Sequence, residues 1–240
     1  MTIKLPTSFT GPDGRVIDGK EAYDEIMSRP DVQVPEKNST NQASSPNLEG
    51  FIYIPSIKLY VAKERTHLGK DWFESHKSLI SEGLRMPTIP EFIEFLKYTK
   101  TNFPEIYKEI TEVRSSWKAE WLDADFKVVN EKLHINCYHV LDSNGNLIPK
   151  NSELLDNNTL MENKTPGISL EDYLTKNHTN QGLPSKNVNS GDFYYRYPIS
   201  DNNSVARFYV YSVWTLLDCN GYASGRGSPL GVRAVFSEIK

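Results

Sequence analysis

The sequence predicts an α+β fold, and three observations carry the prediction. Apolar residues recur at helical spacing between Trp72 and Trp117, alternate at strand spacing after Trp121, and follow the order of a strand segment, a block of helices and a strand-rich half. A strand, then helices, then a strand-rich half fits helices set apart against a twisted antiparallel sheet, not a series of βαβ units. The 240 residues (27.4 kDa) suit one large domain, or a domain with a small appendage. With 38% apolar and 24% charged residues, the chain has enough to build a core without disulfide staples.

Residues 1 to about 30 hold turn signals at Gly11-Pro12-Asp13-Gly14 and a short helical stretch near Glu21 to Met27. Residues 34 to 50 are polar, rich in Pro, Ser and Asn, and lack an apolar period, so they read as an exposed linker or long loop. Residues 1–50 are thus an N-terminal extension with a flexible linker. Order returns at Phe51, where FIYIPSIKLYVA reads as one or two strands bent at Pro55. In DWFESHKSLISEG, Trp72, Phe73, His76, Leu79 and Ile80 share one helical face, and Gly83 is a natural stop. Thr88 with Glu91 three residues on forms a capping box, and Phe92, Phe95, Leu96 and Thr99 supply a buried stripe. These spacings predict helices near 71–82 and 89–100. A third helical pattern runs through Phe103, Ile106, Tyr107, Ile110, Val113 and Trp117.

LHINCYHVLDSNGNLIP then reads as a strand, a turn at Asn144-Gly145 and a second strand. Residues 150–190 read as a long excursion with one short helix, Ser169 to Lys176, capped by Ser169. FYYRYPIS, SVARFYVYSVWTLLDCNG and PLGVRAVFSEI read as strands between Gly, Ser and Asn turns.

Composition excludes several functions. A net charge of −4 opposes sequence-independent binding to nucleic acid, which needs a basic surface, and docking on an anionic membrane. No run approaches the roughly 18 apolar residues of a membrane span, and the opening residues show no apolar signal core. Neither nucleic acid nor membrane insertion is expected, and the compartment stays open. Cys137 and Cys219 are far apart and fit no zinc module; two separate buried thiols are expected, with a single Cys137–Cys219 bridge as the alternative that sequence does not decide.

The histidines His67, His76, His134, His139 and His178 show no HxH or HxxxH spacing, so structural roles are expected. His134 and His139, five apart, would face opposite sides of a straight strand. Asp123 and Asp125 share a strand face but offer too few oxygens for calcium or magnesium; solvated charge or local hydrogen bonding is expected. DSNGN (142–146) resembles the start of an EF-hand loop, with Glu153 at the twelfth position. Leu147 stands where that loop needs Gly, and no helices flank it, so a hairpin turn is expected. No Gly-rich phosphate loop and no GxSxG is present. No catalytic residue, metal or cofactor is predicted.

The C-terminal composition is unusual. The chain has 43 Lys, Glu, Gln and Met residues; spread evenly, about nine would fall within residues 187–237, and none does. Tyr, Ser, Gly and Asn supply 23 of those 51 residues. Strands disfavour Lys and Glu, and turns favour Ser, Gly and Asn, which explains part of the deficit. A recognition surface explains more, because Tyr gives rigid contact area while Ser, Gly and Asn give adaptable hydrogen bonds.

LRMPTIPEFIEFLKY (84–98) resembles a helix start found in C-type-lectin-fold domains of the formylglycine-generating-enzyme type, and PLGVRAVF (229–236) resembles their last strand. With the order of elements between them, the likeness covers most of the chain. Within this group are the variable proteins of diversity-generating retroelements, found in phages, bacteria and archaea. Their mutagenesis acts on template codons ending in a pyrimidine, which cannot encode Lys, Glu, Gln, Met or Trp. The 187–237 segment lacks four of these five, and its Trp214 would be a framework position.

The resemblance implies a C-type lectin-like ligand-binding domain over residues 51–240 with a variable region about 187–237, in a viral or archaeal member. It implies binding without turnover, with a macromolecular ligand, a protein, as partner. The candidate contact residues are Tyr209, Tyr211, Asp218, Asn220, Tyr222, Ser224, Arg226 and Ser228. Tyr209 and Tyr211 are two apart and share a sheet face. Trp72, Phe92, Leu96, Trp214, Val232 and Val235 would form the framework, Pro229 to Phe236 would close the sheet, and Gly221, Gly225 and Gly227 would supply positive φ. A viral or phage tropism or adhesion protein of the same fold, without diversification, is the alternative. An oxidase like the formylglycine-generating enzymes fits less well, since those use a cysteine pair near the C-terminal end and only Cys219 stands there. The Glu-Pro-Asn and Trp-Asn-Asp motifs of calcium-dependent sugar binding are absent.

Overall fold

The computed structural model describes residues 8–10, 16–18, 48–112, 116–199, 204–211 and 214–237. The Gly11–Gly14 turn, the helix expected near Glu21–Met27, most of the 34–50 stretch and Val113 lie outside the described residues. The chain divides into two compact units, Met1–Ser45 and Pro46–Lys240. In the first, β1 (Ser8–Thr10) and β2 (Val16–Asp18) pair antiparallel. The second opens a few residues before Phe51, because the Phe51 amide donates to Leu48 and the Lys63 amide to Gly50.

The second unit is α+β. FIYIPSIKLYVA forms two strands, β3 (Phe51–Ile54) and β4 (Leu59–Ala62), with the bend at Pro55 inside their turn. α1 (Trp72–Ser81) begins at Asp71, whose carboxylate accepts from the Glu74 amide, and stops before Gly83, which takes φ 72°. α2 (Ile89–Asn102) begins at the predicted Thr88–Glu91 capping box, and Arg85 clamps the Glu91 carboxylate with two bonds of 2.7 Å. α3 (Pro104–Thr111) is shorter than its apolar pattern, since Lys118 already belongs to a strand.

Eight strands form the main sheet. They are β5 (Lys118–Val129), β6 (Lys132–Leu141), β7 (Leu147–Leu154), β8 (Lys164–Ile168), β9 (Phe193–Arg196), β10 (Ser204–Val210), β11 (Thr215–Tyr222) and β12 (Leu230–Gly231). The order is β7-β6-β5-β10-β11-β9-β8, with β12 parallel beside β5. The β9–β11 pair is also parallel, and the other pairings are antiparallel. β13 (Val235–Phe236) joins β4 and β3 in a small sheet. The 150–190 stretch is more ordered than its polar sequence predicts. It contains the end of β7, all of β8 and α4 (Leu170–Thr175), the last capped by Ser169 as expected. β7 and β8 are edge strands, where Lys, Pro and Gly are tolerated and the alternating signal fades.

β5 is buried without interruption from Ala119 to Phe126, the mark of a strand covered on both faces. Its residues alternate between two cores. Leu122, Ala124 and Phe126 pack with Phe92, Leu96, Phe208 and Val235, while Ala119 and Trp121 pack with Trp72, Val205 and Val232. The expected framework residues Trp72, Phe92, Leu96, Val232 and Val235 are all within these cores.

Candidate functional site

The exposed C-terminal face is built on one buried charge. Register places Arg207 of β10 opposite Asp218 of β11 and Trp121 of β5. Arg207 donates from Nε (3.0 Å) and Nη2 (2.9 Å) to Asp218 Oδ2, and the Asn220 amide donates to Oδ1 at 3.1 Å. So fixed, the guanidinium lies over the Tyr209 ring at 5.2 Å and near Trp121 at 6.0 Å. Trp214 stacks on Tyr194, with centroids 5.3 Å apart and planes within 14°, and leans on Tyr211 at 5.5 Å. Trp117, Arg207, Tyr209, Tyr211 and Trp214 line an open cleft of about 260 Å³.

The loop after β11 is pinned rather than loose. Arg226 bonds Asp71 (2.9 Å) and Glu74 (2.7 Å), the two carboxylates of the α1 capping box. The Trp72 amide donates to the Ala223 carbonyl, and Arg65 donates to the Pro229 carbonyl. An added Cβ at Gly227 would meet Trp117 at 2.9 Å, so the loop runs directly against a wall of the cleft.

Of the eight candidate contacts, Tyr211, Tyr222, Ser224, Arg226 and Ser228 are exposed, while Tyr209 and Asn220 are half-buried. Asp218 is a correction: it has no exposure, and its carboxylate is consumed by Arg207 and the Asn220 amide. It supports the face and does not belong to it. A register shift between Val205 and Arg207 breaks the alternation along β11, and Tyr222 pairs with Ser204 beyond it, 68% exposed. Trp214, expected as framework, is only half-buried and forms part of the cleft wall. The positive φ expected at Gly221, Gly225 and Gly227 is not found; among the described glycines it occurs at Gly69, Gly83, Gly145 and Gly182. Gly221 and Gly227 answer to close approach, because a Cβ would press on the Val205 carbonyl (2.9 Å) or on Trp117. Sequence reasoning missed Arg207, Trp117 and Tyr194. The first two lie outside the Tyr/Ser/Asn palette, and Tyr194 enters through a parallel pairing that no local pattern announces.

No family model matches the chain, and no curated protein or solved structure matches it significantly.

A second constellation lies in the interior. α1 packs on β6 and β7 and carries His76 inward, while β5 supplies Asp123 and Asp125 and β6 supplies His139. All four are buried. His139 Nδ1 meets Asp123 Oδ1 at 2.5 Å, and its backbone amide donates to Oδ2 at 3.2 Å. His139 Nε2 lies 3.4 Å from Asp125 Oδ1, and His76 Nε2 lies 3.6 Å from Asp123 Oδ1. Asp123 is therefore neither solvated nor locally bonded, contrary to expectation, since its partner His139 lies 16 residues on, across the sheet; Asp125 has the expected local bond, to Lys127 at 3.0 Å, and faces His139 as well.

Burial pushes the His76 imidazole down to about 4, against the pull of Asp123. Burial works on His139 too, but its bonds to Asp123 and Asp125 win and lift it to about 9. Next to it, Tyr138 takes φ 56°, a conformation that costs a non-glycine residue about 1–3 kcal/mol. The Arg85 guanidinium covers the Tyr138 ring at 5.3 Å. A cavity of about 250 Å³, lined in part by Thr88, Pro90, Cys137, Tyr138 and Glu153, reaches Asp123. Cys137 and Cys219 are both free thiols, Cys219 wholly buried and Cys137 half-buried.

Proposed function

We propose that this chain is a non-catalytic ligand-binding protein of C-type lectin fold. On this reading it is a variable protein of a diversity-generating retroelement that recognises protein ligands through its C-terminal face. The observation that carries the reading is where the composition bias falls. In the described part of residues 187–237 the exposed positions include Asn187, Ser190, Asp192, Arg196, Tyr211, Tyr222, Ser224 and Ser228, with no Lys or Glu among them. Exposed positions of β5, β6 and β7 in the same sheet carry Lys127, Lys132, Lys150 and Glu153. Of the C-terminal positions only Arg196 and Tyr222 lie in strands, but exposed turn positions elsewhere in the unit carry Lys63, Glu64, Glu131 and Glu162, so neither strand nor turn preference accounts for the difference.

The mechanism is pre-organisation. The Arg207–Asp218 pair, the Trp214–Tyr194 stack and the Arg226 pin fix the face before ligand arrives, so little ordering entropy is lost on binding. Rigid aromatic rings then supply contact area, and Asn220, Ser224 and Ser228 supply adaptable hydrogen bonds.

The test is a display library randomised at Tyr209, Tyr211, Asn220, Tyr222, Ser224 and Ser228 and selected against a purified, unrelated globular protein. Most members should stay folded, and selection should enrich binders whose affinity is lost on reverting those positions. A library that mostly unfolds, or that yields no binder, refutes the reading. Coding DNA offers a second check. A diversified region requires a nearby near-repeat differing at template adenines, together with a reverse transcriptase.

A further inference from the structure

We propose that His76, Asp123 and His139 form a binding site for one divalent transition-metal ion of the zinc class, with Asp125 as the carboxylate that orients His139. The site is separate from the ligand face and does not depend on the reading of that face.

Four observations carry the proposal. First, one donor atom from each of the three residues lies within 4.8 Å of the others, and all three side chains are buried. Second, two imidazoles and one carboxylate are the donor set of zinc and its neighbours, whereas calcium and magnesium take oxygen ligands. Third, His76 is wholly buried, and neither of its ring nitrogens has a hydrogen-bond partner. A buried polar atom left in that state is costly and calls for a partner. Its Nε2 faces Asp123 Oδ1 at 3.6 Å, close to the roughly 3.3 Å that separates two ligands on a tetrahedral zinc with bonds near 2.0 Å. Fourth, His139 Nε2 faces Asp125 Oδ1 at 3.4 Å, the carboxylate–histidine arrangement that fixes a metal-bound imidazole.

The proton balance is simple. The proton shared between His139 Nδ1 and Asp123 Oδ1 leaves to solvent as the ion takes its place, and the two atoms move apart from 2.5 Å by a little under 1 Å. Three protein donors leave the fourth position to water. The ion would tie α1 to β5 and β6, and α1 in turn holds the Arg226 loop through Asp71 and Glu74. Sequence spacing could not show the site, because its donors come from a helix and two strands.

The experiment uses the untagged full chain, stripped with chelator and titrated with Co²⁺ and then Zn²⁺. One Co²⁺ per chain should give the intense visible bands of a four-coordinate site, Zn²⁺ should displace it one for one, and Zn²⁺ should raise the thermal midpoint. His76→Phe keeps the Asp123–His139 bond and removes one donor, and should abolish the bands and weaken binding at least 100-fold. Asp125→Asn should keep the bands and weaken binding about 10–100-fold. Wild-type protein that shows no bands and no shift in thermal midpoint with excess of either metal overturns the proposal, whether or not the variants fold. Bands that survive His76→Phe overturn it as well.

Discussion

Replacing Asp218 with alanine strips the partner from Arg207, and the structure sets the cost. The Asp218 carboxylate has no exposure, accepts two Arg207 donors at 2.9 and 3.0 Å, and accepts the Asn220 amide at 3.1 Å. Breaking a buried ion pair by removing one partner costs about 3–5 kcal/mol, because the remaining charge is stranded. The Arg207 side chain keeps 23% of its exposure and lies over Tyr209 and Trp121, so its stranded charge reaches water. Asp218→Ala should therefore cost about 3 kcal/mol, near the low end. Arg207→Ala is worse, since it leaves a sealed carboxylate with one backbone donor, and should cost about 5 kcal/mol. The double variant Arg207→Met with Asp218→Leu should recover most of the loss and retain about 1 kcal/mol for the orphaned Asn220 amide. Urea denaturation followed by tryptophan fluorescence measures all three, and a loss of 3 kcal/mol lowers the midpoint by about 1–3 M. If both single variants lose less than about 1 kcal/mol, the pair behaves as an ordinary surface bridge and does not stiffen the sheet beneath the cleft.

Gly167→Ala should cost about 3 kcal/mol or more in the same assay, because a Cβ there would stand 1.8 Å from the Phe193 carbonyl oxygen, a backbone atom that cannot swing aside. Tyr222→Ala should change stability by no more than about 0.5 kcal/mol, as the side chain is 68% exposed; a larger loss would show that it packs rather than displays. Burial alone would raise the Glu109 carboxyl, but Arg233 and Lys118 hold it below its ordinary 4.5. A carboxyl depressed in the folded state adds stability above pH 4.5 and loses it as pH falls through the lowered value. Acid titration of stability should therefore show a loss below that pH, and Glu109→Gln should flatten it; an unchanged acid limb in the variant would remove Glu109 from the account.

What the sequence shows well is what neighbours decide. Asp71–Glu74 and Thr88–Glu91 are capping pairs three residues apart, so α1 and α2 begin where the pattern says. Gly145 sits in the β6–β7 hairpin with φ 77°, and Asp142 accepts the amides of Asn144 and Asn146, so the turn is local as well. What the sequence hides is decided across the sheet. Asp218 alternates like a surface residue, yet Arg207 on the next strand draws it under. His76, Asp123 and His139 have no common spacing because three elements bring them together. β8 escapes notice because its Lys164-Thr165-Pro166 start reads as a loop, and only pairing with β9 makes it a strand.

Phe51 and Phe236 mark the beginning and end of the small sheet, both next to β4, where Tyr60 faces Tyr53 on one side and Phe236 on the other. The unit is thus entered and left through the same three strands, while the aromatic cleft is carried by the large sheet. A circular permutant that joins those ends and opens the chain in the β6–β7 turn keeps every strand neighbour of the aromatic cleft, and the unit should accept insertion into a host loop with that cleft intact.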